Sequence, residues 1–306
     1  MIETAQRSLF DLPASRPPTA GEIEAVGGAL AVIEASRAHP FTKWAGGKAD
    51  LLDQIRPHLP KLFGRYHERF LGGGALFYDL APSDPPAVLN DDNAHLVNAY
   101  VCIRDDVERV IQHLTPLRYE SETYYHIREQ FNAGVGSPCQ RAAWFLYLLR
   151  VCYNGLWRVN RAGQFNTPIG RYSNPTICDA ENLRACSRGL RHAEITCGDF
   201  EPGCAMAHPG DLVYFDPPYV PMKPGASFTS YTAKGFTLKD HERLRDLARR
   251  LTTYGVLCVL SNSDTPIVRE LYADEPFRIL SLSRKGNMSS KGSGRQDVPE
   301  VLILNY

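Results

Sequence analysis

The sequence predicts an α/β protein built on a mostly parallel sheet, with helices on both faces and a mostly helical segment inserted into it. Three observations carry that reading. Short apolar runs at 67–71, 87–90, 193–197, 212–215 and 256–261 alternate with segments of helical pattern, as in chains of βαβ units. Two of the runs end abruptly, one in Gly72-Gly73-Gly74 and one in Pro217-Pro218. Residues 105–190 break the alternation and read as helical and irregular.

Taken in order, residues 1–38 read as a flexible extension. Residues 11–20 are rich in Pro, Ala and Ser, and the first 38 residues are net acidic. A weak helix is expected over 22–36, although Gly27-Gly28 lies inside it and glycine disfavours helix interiors. The first part of the sheet domain covers 39–104, the insert 105–190 and the second part of the sheet domain 191–306. In the first part, a helix is expected over 49–59, ending near Pro60. A strand over 67–71, a glycine turn and a helix from Ala75 follow, then a strand over 87–90 and a helix over 94–103. After the insert come strands at 193–197 and 212–215. Thr237-Leu238-Lys239-Asp240 has the spacing of a capping box and opens an amphipathic helix through Leu251. A strand over 256–261 is followed by a terminal antiparallel pair at 278–283 and 301–305.

Bulk composition narrows the function classes. The chain is 43% hydrophobic and 22% charged, which suits a folded domain rather than a disordered one. No apolar run reaches the ~18 residues of a membrane span, and the start has no secretory pattern. Eight cysteines lie scattered with no Cys-x-x-Cys pair, which argues against a zinc site and for reduced thiols in a cytoplasm. The formal net charge of zero hides an asymmetry. Residues 141–191 carry eight arginines against Asp179 and Glu181, and 284–295 carry four basic residues and no acid. Basic patches in a neutral chain fit a protein that meets phosphates on one face.

The stretch richest in chemistry is Asp216-Pro217-Pro218-Tyr219, directly after Leu212-Val213-Tyr214-Phe215. Each proline lacks an N–H and holds the residue before it extended. A carboxylate, a carbonyl and an aromatic ring are thus left at a strand's carboxyl end, where open α/β sheets bind ligands. Two acceptors and a stacking face suit a planar heterocycle with an exocyclic amine. Glu68-Arg69-Phe70-Leu71-Gly72-Gly73-Gly74 offers a turn where a ligand can approach backbone, because glycine carries no Cβ. About twenty residues on, Asn90-Asp91-Asp92-Asn93 ends the next strand, a position suited to ribose hydroxyls. No G-x-G-x-x-G is present, so a nucleoside such as S-adenosylmethionine fits as well as a dinucleotide. Asp199-Phe200 ends a third strand and could meet the cofactor's adenine. Lys43-Trp44-Ala45-Gly46-Gly47-Lys48 precedes a helix and could wrap an anionic group. Ala49 follows Lys48 where a P-loop needs Ser or Thr, which argues against an ATP loop.

Together these motifs resemble the Dam-type DNA adenine N6-methyltransferases, which use S-adenosylmethionine. The resemblance runs from about Pro40 to Tyr306. It departs at Arg69, where proline is common, and at Asp92, where an apolar residue is usual. It implies a Rossmann-like S-adenosylmethionine-dependent methyltransferase sheet with an inserted DNA-recognition domain. It assigns catalysis to Asp216, Pro217, Pro218 and Tyr219, without a metal. It assigns the cofactor to Trp44, Ala45, Gly46, Lys48, Phe70, Gly72, Gly74, Asp91, Asn93, Asp199 and Phe200. It makes the insert the reader of double-stranded DNA through Tyr153, Asn154, Leu156, Arg158, Pro168 and Tyr172, with Lys43 at the other edge of the site and Arg295 on a basic loop. Arg158 would read a guanine, although a phosphate contact is the alternative. Trp157 and Phe165 read as core. The resemblance points to GATC as the target. Methylation of RNA or of cytosine N4, and a non-catalytic DNA-binding relative, remain alternatives. The enzyme would be bacterial or phage-encoded, solitary or paired with a restriction nuclease, and nucleoid-associated.

Gln6-Arg7-Ser8-Leu9-Phe10 resembles the Gln-x-x-Leu-Phe peptides that dock on the replication sliding clamp, with Gln6, Leu9 and Phe10 as the contact residues.

Overall fold

The computed structural model describes residues 32–33, 38–222, 235–284 and 298–306. The expected docking peptide at Gln6, Leu9 and Phe10, and Arg295, lie outside them. The central sheet has seven strands: β2 (Tyr66–Glu68), β4 (Val88–Asp91), β5 (Glu194–Cys197), β6 (Leu212–Phe215), β7 (Leu257–Ser263), β8 (Arg278–Arg284) and β9 (Val298–Leu304). Their order is β5-β4-β2-β6-β7-β9-β8. The first five are mutually parallel, and β9 runs antiparallel to both its neighbours. The chain steps outward from β2 through β4 to β5, then returns to the other side of β2 to build β6 and β7. That reversal opens a crevice above the carboxyl ends of β2 and β6, where doubly wound sheets place ligands.

Side-chain alternation in β6 shows how the sheet divides the core. Leu212 and Tyr214 join one apolar cluster, and Val213 and Phe215 the other, as the two-residue period of a strand requires. The first face is covered by α1 (Leu52–Ile55), α2 (Ala75–Leu80), α3 (Ala94–Leu114), α5 (Pro138–Val151) and α6 (Ala180–Leu190). The second is covered by α7 (Leu238–Thr253) and α8 (Pro266–Leu271). Between α3 and α6 the chain forms α4 (Ser121–Asn132), α5 and an irregular hairpin over 152–170, bridged at Cys152–Ile169 and Val159–Phe165.

The start signals act locally. Asn93 accepts hydrogen bonds from His95 N at 3.0 Å and Leu96 N at 3.2 Å and so caps α3. Thr237 and Asp240 form the capping box of α7, satisfying N–H groups that a helix start leaves orphaned. The helix expected over 49–59 is fragmented into a 3-10 turn (Ala49–Leu51), α1 and a second 3-10 turn (Arg56–His58). Pro57 is the physical reason, since it cannot donate back along an α-helix. The expected 94–103 helix extends to Leu114, because Val110, Ile111 and Leu114 continue its buried stripe. The 104/105 division therefore falls inside α3, beside a non-helical Asp106 (φ −151°, ψ 62°).

One expected element is corrected. Val32–Ile33, inside the helix expected over 22–36, forms β1 and pairs antiparallel with β3 (Pro82–Asp84). Two adjacent β-branched residues favour extended backbone, and the pairing gives the facing edges of both strands their partners. The rest of that span lies outside the described residues.

Candidate active site

A cavity of about 540 Å³ fills the crevice above β2 and β6, within the range of small-molecule sites. Four segments wall it: the Trp44–Lys48 loop, the glycine turn after β2, Asp91–Asn93 at the end of β4, and Asp216–Met222 after β6. Trp44, Ala45, Gly46, Lys48, Phe70, Gly72, Gly74, Asp91 and Asn93 all line it, together with Asp216, Pro217, Pro218 and Tyr219. Two residues expected at the cofactor, Asp199 and Phe200, do not. Phe200 stacks behind Phe70 at 5.3 Å, and Asp199 is bound to Arg243 Nη2 at 2.5 Å.

The glycine turn is forced by close packing within the protein itself. Gly72 (φ 49°) and Gly74 (φ 65°) adopt left-handed backbone. A Cβ on Gly72 would sit 2.8 Å from Trp44 Cδ1, and one on Gly74 2.8 Å from Tyr100 Oη. Asp91 holds this turn. Its two oxygens accept from Gly72 N at 2.9 Å and from Asn93 N at 3.0 Å. Burial pushes its carboxyl up to about 7, against the pull of those two N–H groups. Asp91 thus fastens β4 to the glycine turn, and the neighbouring Asp92 also faces the cavity.

The proline pair ends β6 as expected, and the turn it forms is gripped from β7 and β9. Asn262 Oδ1 accepts from Val220 N at 3.2 Å, and Ser263 Oγ donates to Val220 O at 2.6 Å. Tyr219 Oη donates to buried Glu300 at 2.7 Å. Sequence reasoning missed these supports. The one local signal was polar Ser261-Asn262-Ser263 at the carboxyl end of an apolar strand.

Lys48 occupies the centre of the site. It is 3% exposed, and its ammonium lies 2.6 and 2.7 Å from the two Asp216 oxygens. It also donates to Gly46 O at 2.6 Å and sits 4.7 Å from the centre of the Tyr219 ring. Beneath the pair lies Glu68, buried and also missed. It accepts from Tyr66 Oη at 2.8 Å, and burial pushes its carboxyl up to about 8 despite that bond. Burial thus favours the neutral form of Glu68, on a cavity floor where Asp216 already brings one negative charge.

Among the described residues, those expected to meet DNA lie on the hairpin over 152–170 or packed against it, outside the cavity lining. Lys43 lies over the Tyr172 ring at 5.5 Å and packs on Gly155, where a Cβ would come 3.0 Å from Lys43 Cβ. Tyr153 is 54% exposed, and Asn154 next to it has φ 56°. Arg158 and Pro168 are exposed and Leu156 is half-buried. Tyr172 is half-buried and donates to Cys152 O at 2.8 Å, so it also braces the hairpin. Trp157 and Phe165 are core, stacked at 5.2 Å.

Comparison with known proteins agrees with this geometry. Residues 44–288 match the family model described as D12 class N6 adenine-specific DNA methyltransferase. The chain is 42% identical over 274 residues to the type II methyltransferase M1.LlaDCHI of Lactococcus lactis subsp. cremoris, covering 87% of this chain and 95% of that protein. It is 40% identical over 287 residues to the type II methyltransferase M.MjaIII of Methanocaldococcus jannaschii, covering 87% and 99%. It is 36% identical over 269 residues to the DNA adenine methylase of Escherichia coli, covering 86% and 94%. A family match across most of the chain places this protein, with its crevice lined by Asp216-Pro217-Pro218-Tyr219, among the D12 class N6 adenine-specific DNA methyltransferases.

Proposed function

We propose that the chain transfers the methyl group of S-adenosylmethionine to N6 of an adenine turned out of duplex DNA, within GATC. The observation that supports this most is the shared cavity: the glycine turn and Asp216-Pro217-Pro218-Tyr219 line one enclosure. The lining fits such a cofactor. Trp44 and Phe70 offer apolar faces for a purine, and Asp92 offers acceptors for hydroxyls. When bound, the sulfonium supplies an electrophilic methyl group.

The protein's part is to make a poor nucleophile better. The N6 lone pair of adenine is delocalised into the ring. Hydrogen bonds to the Asp216 carboxylate and the Pro217 carbonyl favour a pyramidal nitrogen and stabilise the positive charge that grows on it. This is the counterpart of an oxyanion hole. Tyr219 is held by Glu300, so its ring is oriented before a base stacks on it. Flipping costs a few kcal/mol, offset by stacking and backbone contacts. Lys48 must yield during this step. An ammonium beside the accepting carboxylate opposes charge on N6, by about 4 kcal/mol for unit charges 4 Å apart at an effective dielectric of 20. The incoming amine therefore displaces Lys48 from Asp216, and the freed ammonium can turn to the anionic end of the cofactor.

The test is methyl transfer from labelled S-adenosylmethionine to a GATC duplex, a scrambled duplex and an RNA of the same sequence, with the modified base identified by mass. N6-methyladenine confined to the GATC duplex is expected. Label in RNA, or on cytosine N4, would replace this reading with one of its alternatives. Docking of Gln6, Leu9 and Phe10 on a sliding clamp is a separate proposal, tested by saturable binding of a peptide of residues 1–20.

A further inference from the structure

Arg158 and Asn166 face each other across the recognition hairpin, on the side opposite the buried Trp157 and Phe165. The hairpin stem is well fixed. Asn166 N donates to Arg158 O at 3.0 Å, Thr167 Oγ1 donates to Leu156 O at 2.7 Å, and Asn132 bonds both the N–H and the carbonyl of Phe165. On this stem Asn166 takes hold of the guanidinium itself. Arg158 Nε donates to Asn166 Oδ1 at 2.8 Å, and Arg158 Nη2 donates to Asn166 O at 3.2 Å.

A guanidinium has two bidentate edges. The Nε–Nη2 edge is the one Asn166 occupies. The Nη1–Nη2 edge points along the side-chain axis and keeps two parallel N–H donors. Those donors match O6 and N7 of guanine in the major groove. We propose that Asn166 is a positioning residue for sequence readout, gripping one edge of Arg158 so that the other is presented to a guanine. The inference rests on the reading of Arg158 as a base contact, and it extends that reading to a residue that need not touch the base. Its benefit is pre-organisation. A long side chain free in solvent loses rotamer freedom when it binds, and one already clamped loses less. A clamped fork also tolerates fewer wrong partners, because it cannot swing to a phosphate or to a different acceptor pair.

The experiment first maps the methylated sequence by sequencing DNA exposed to the enzyme. Then kcat/KM is measured on the cognate duplex and on duplexes in which each guanine in turn is replaced by 7-deazaguanine or adenine. Asn166→Ala is expected to lower discrimination about tenfold at one guanine position. Discrimination elsewhere and the salt dependence of DNA binding should stay unchanged. Arg158→Ala should lose at least as much at the same position, and adding Asn166→Ala to it should cost nothing further. Asn166→Asp keeps the Oδ1 acceptor and should keep the discrimination ratio, even if its charge weakens binding to all sequences alike. Circular dichroism checks that the variants fold. The inference is overturned if Asn166→Ala keeps the wild-type ratio, if it slows all duplexes equally, or if it costs further discrimination without Arg158. Wild-type enzyme that methylates no DNA adenine would instead overturn the functional reading beneath it.

Discussion

Lys48 in the cavity and Arg158 on the hairpin are both cations oriented by a side chain of this protein, but burial separates what each can do. Lys48 is 3% exposed and lies within 2.7 Å of both Asp216 oxygens. In that low-dielectric setting a paired charge is strong, and moving it changes the chemistry of its partner. Arg158 is exposed and held at one edge by Asn166. In solvent its Coulomb energy is screened, so what it offers is direction. In the proposed reaction the cavity would thus work through charge and the hairpin through geometry. Trp157 connects them, stacking on Phe165 beneath the hairpin and lying 6.5 Å from Trp44 in the cavity wall.

The largest expected effect is at the carboxylate. Asp216→Ala removes the acceptor for the developing positive charge and should lower kcat by at least about 10²–10³-fold. Sequence-specific DNA binding should survive, because the hairpin is untouched. Near-wild-type turnover would show that the cavity does not work through this charge.

Next in size is Lys48→Met. The Lys48 ammonium lies beside the Asp216 carboxylate, and an opposite charge so close favours the ionised form. The acid limb of the kcat/KM profile should therefore move to higher pH, while discrimination between DNA sequences stays the same. An unmoved limb would mean that Lys48 does not keep Asp216 ionised.

A smaller effect concerns stability. Glu68 is raised from 4.5 to about 8, with burial as the first cause. A carboxyl whose folded pKa lies above its unfolded value binds more protons when folded, so its contribution to stability falls as pH rises through that window. Glu68→Gln keeps an acceptor for Tyr66 and removes the buried charge. Urea denaturation should show the variant more stable than wild type by about 1–3 kcal/mol at pH 8, with little difference at pH 4. An equal difference at both pH values would remove the titration argument.

The smallest effect sharpens the boundary of the cavity. Asp199 is 43% exposed and paired with a half-buried Arg243, and ion pairs so open to solvent contribute less than about 1 kcal/mol. Asp199→Ala should hardly change the melting temperature. A several-fold rise in KM for S-adenosylmethionine at constant kcat would make Asp199 the adenine contact of the proposal. An unchanged KM would leave it a partner of Arg243 and of the Glu201 N–H.

Much of this organisation was legible in one dimension, for reasons that differ by element. The proline pair stops β6 wherever it is placed, because the missing N–H is a property of the residue. Thr237 and Asp240 cap α7 through bonds that span three residues. Trp157 and Phe165 announced a core by size and apolarity. In contrast, the helix expected over 22–36 ignored a partner that only folding brings near, since Val32–Ile33 pairs with Pro82–Asp84. The reading of Asp91 as a cofactor residue likewise did not anticipate that both its oxygens would hold backbone N–H groups, one of them 19 residues away. Local patterns do not report such claims on a side chain.

By itself the sequence determined the alternation of strand and helix, the points where strands stop, and the set of polar and aromatic residues left at those stops. These follow from backbone sterics and side-chain period, which act over a few residues. Only the tertiary structure decided that Lys48 binds Asp216, 168 positions away, and that Glu300 holds Tyr219 from 81 positions away. It was also the tertiary structure that kept Asp199 out of the cavity lining. The reversal of strand order between β2 and β6 chooses those neighbours, and strand order is settled by how the whole chain buries its two apolar faces.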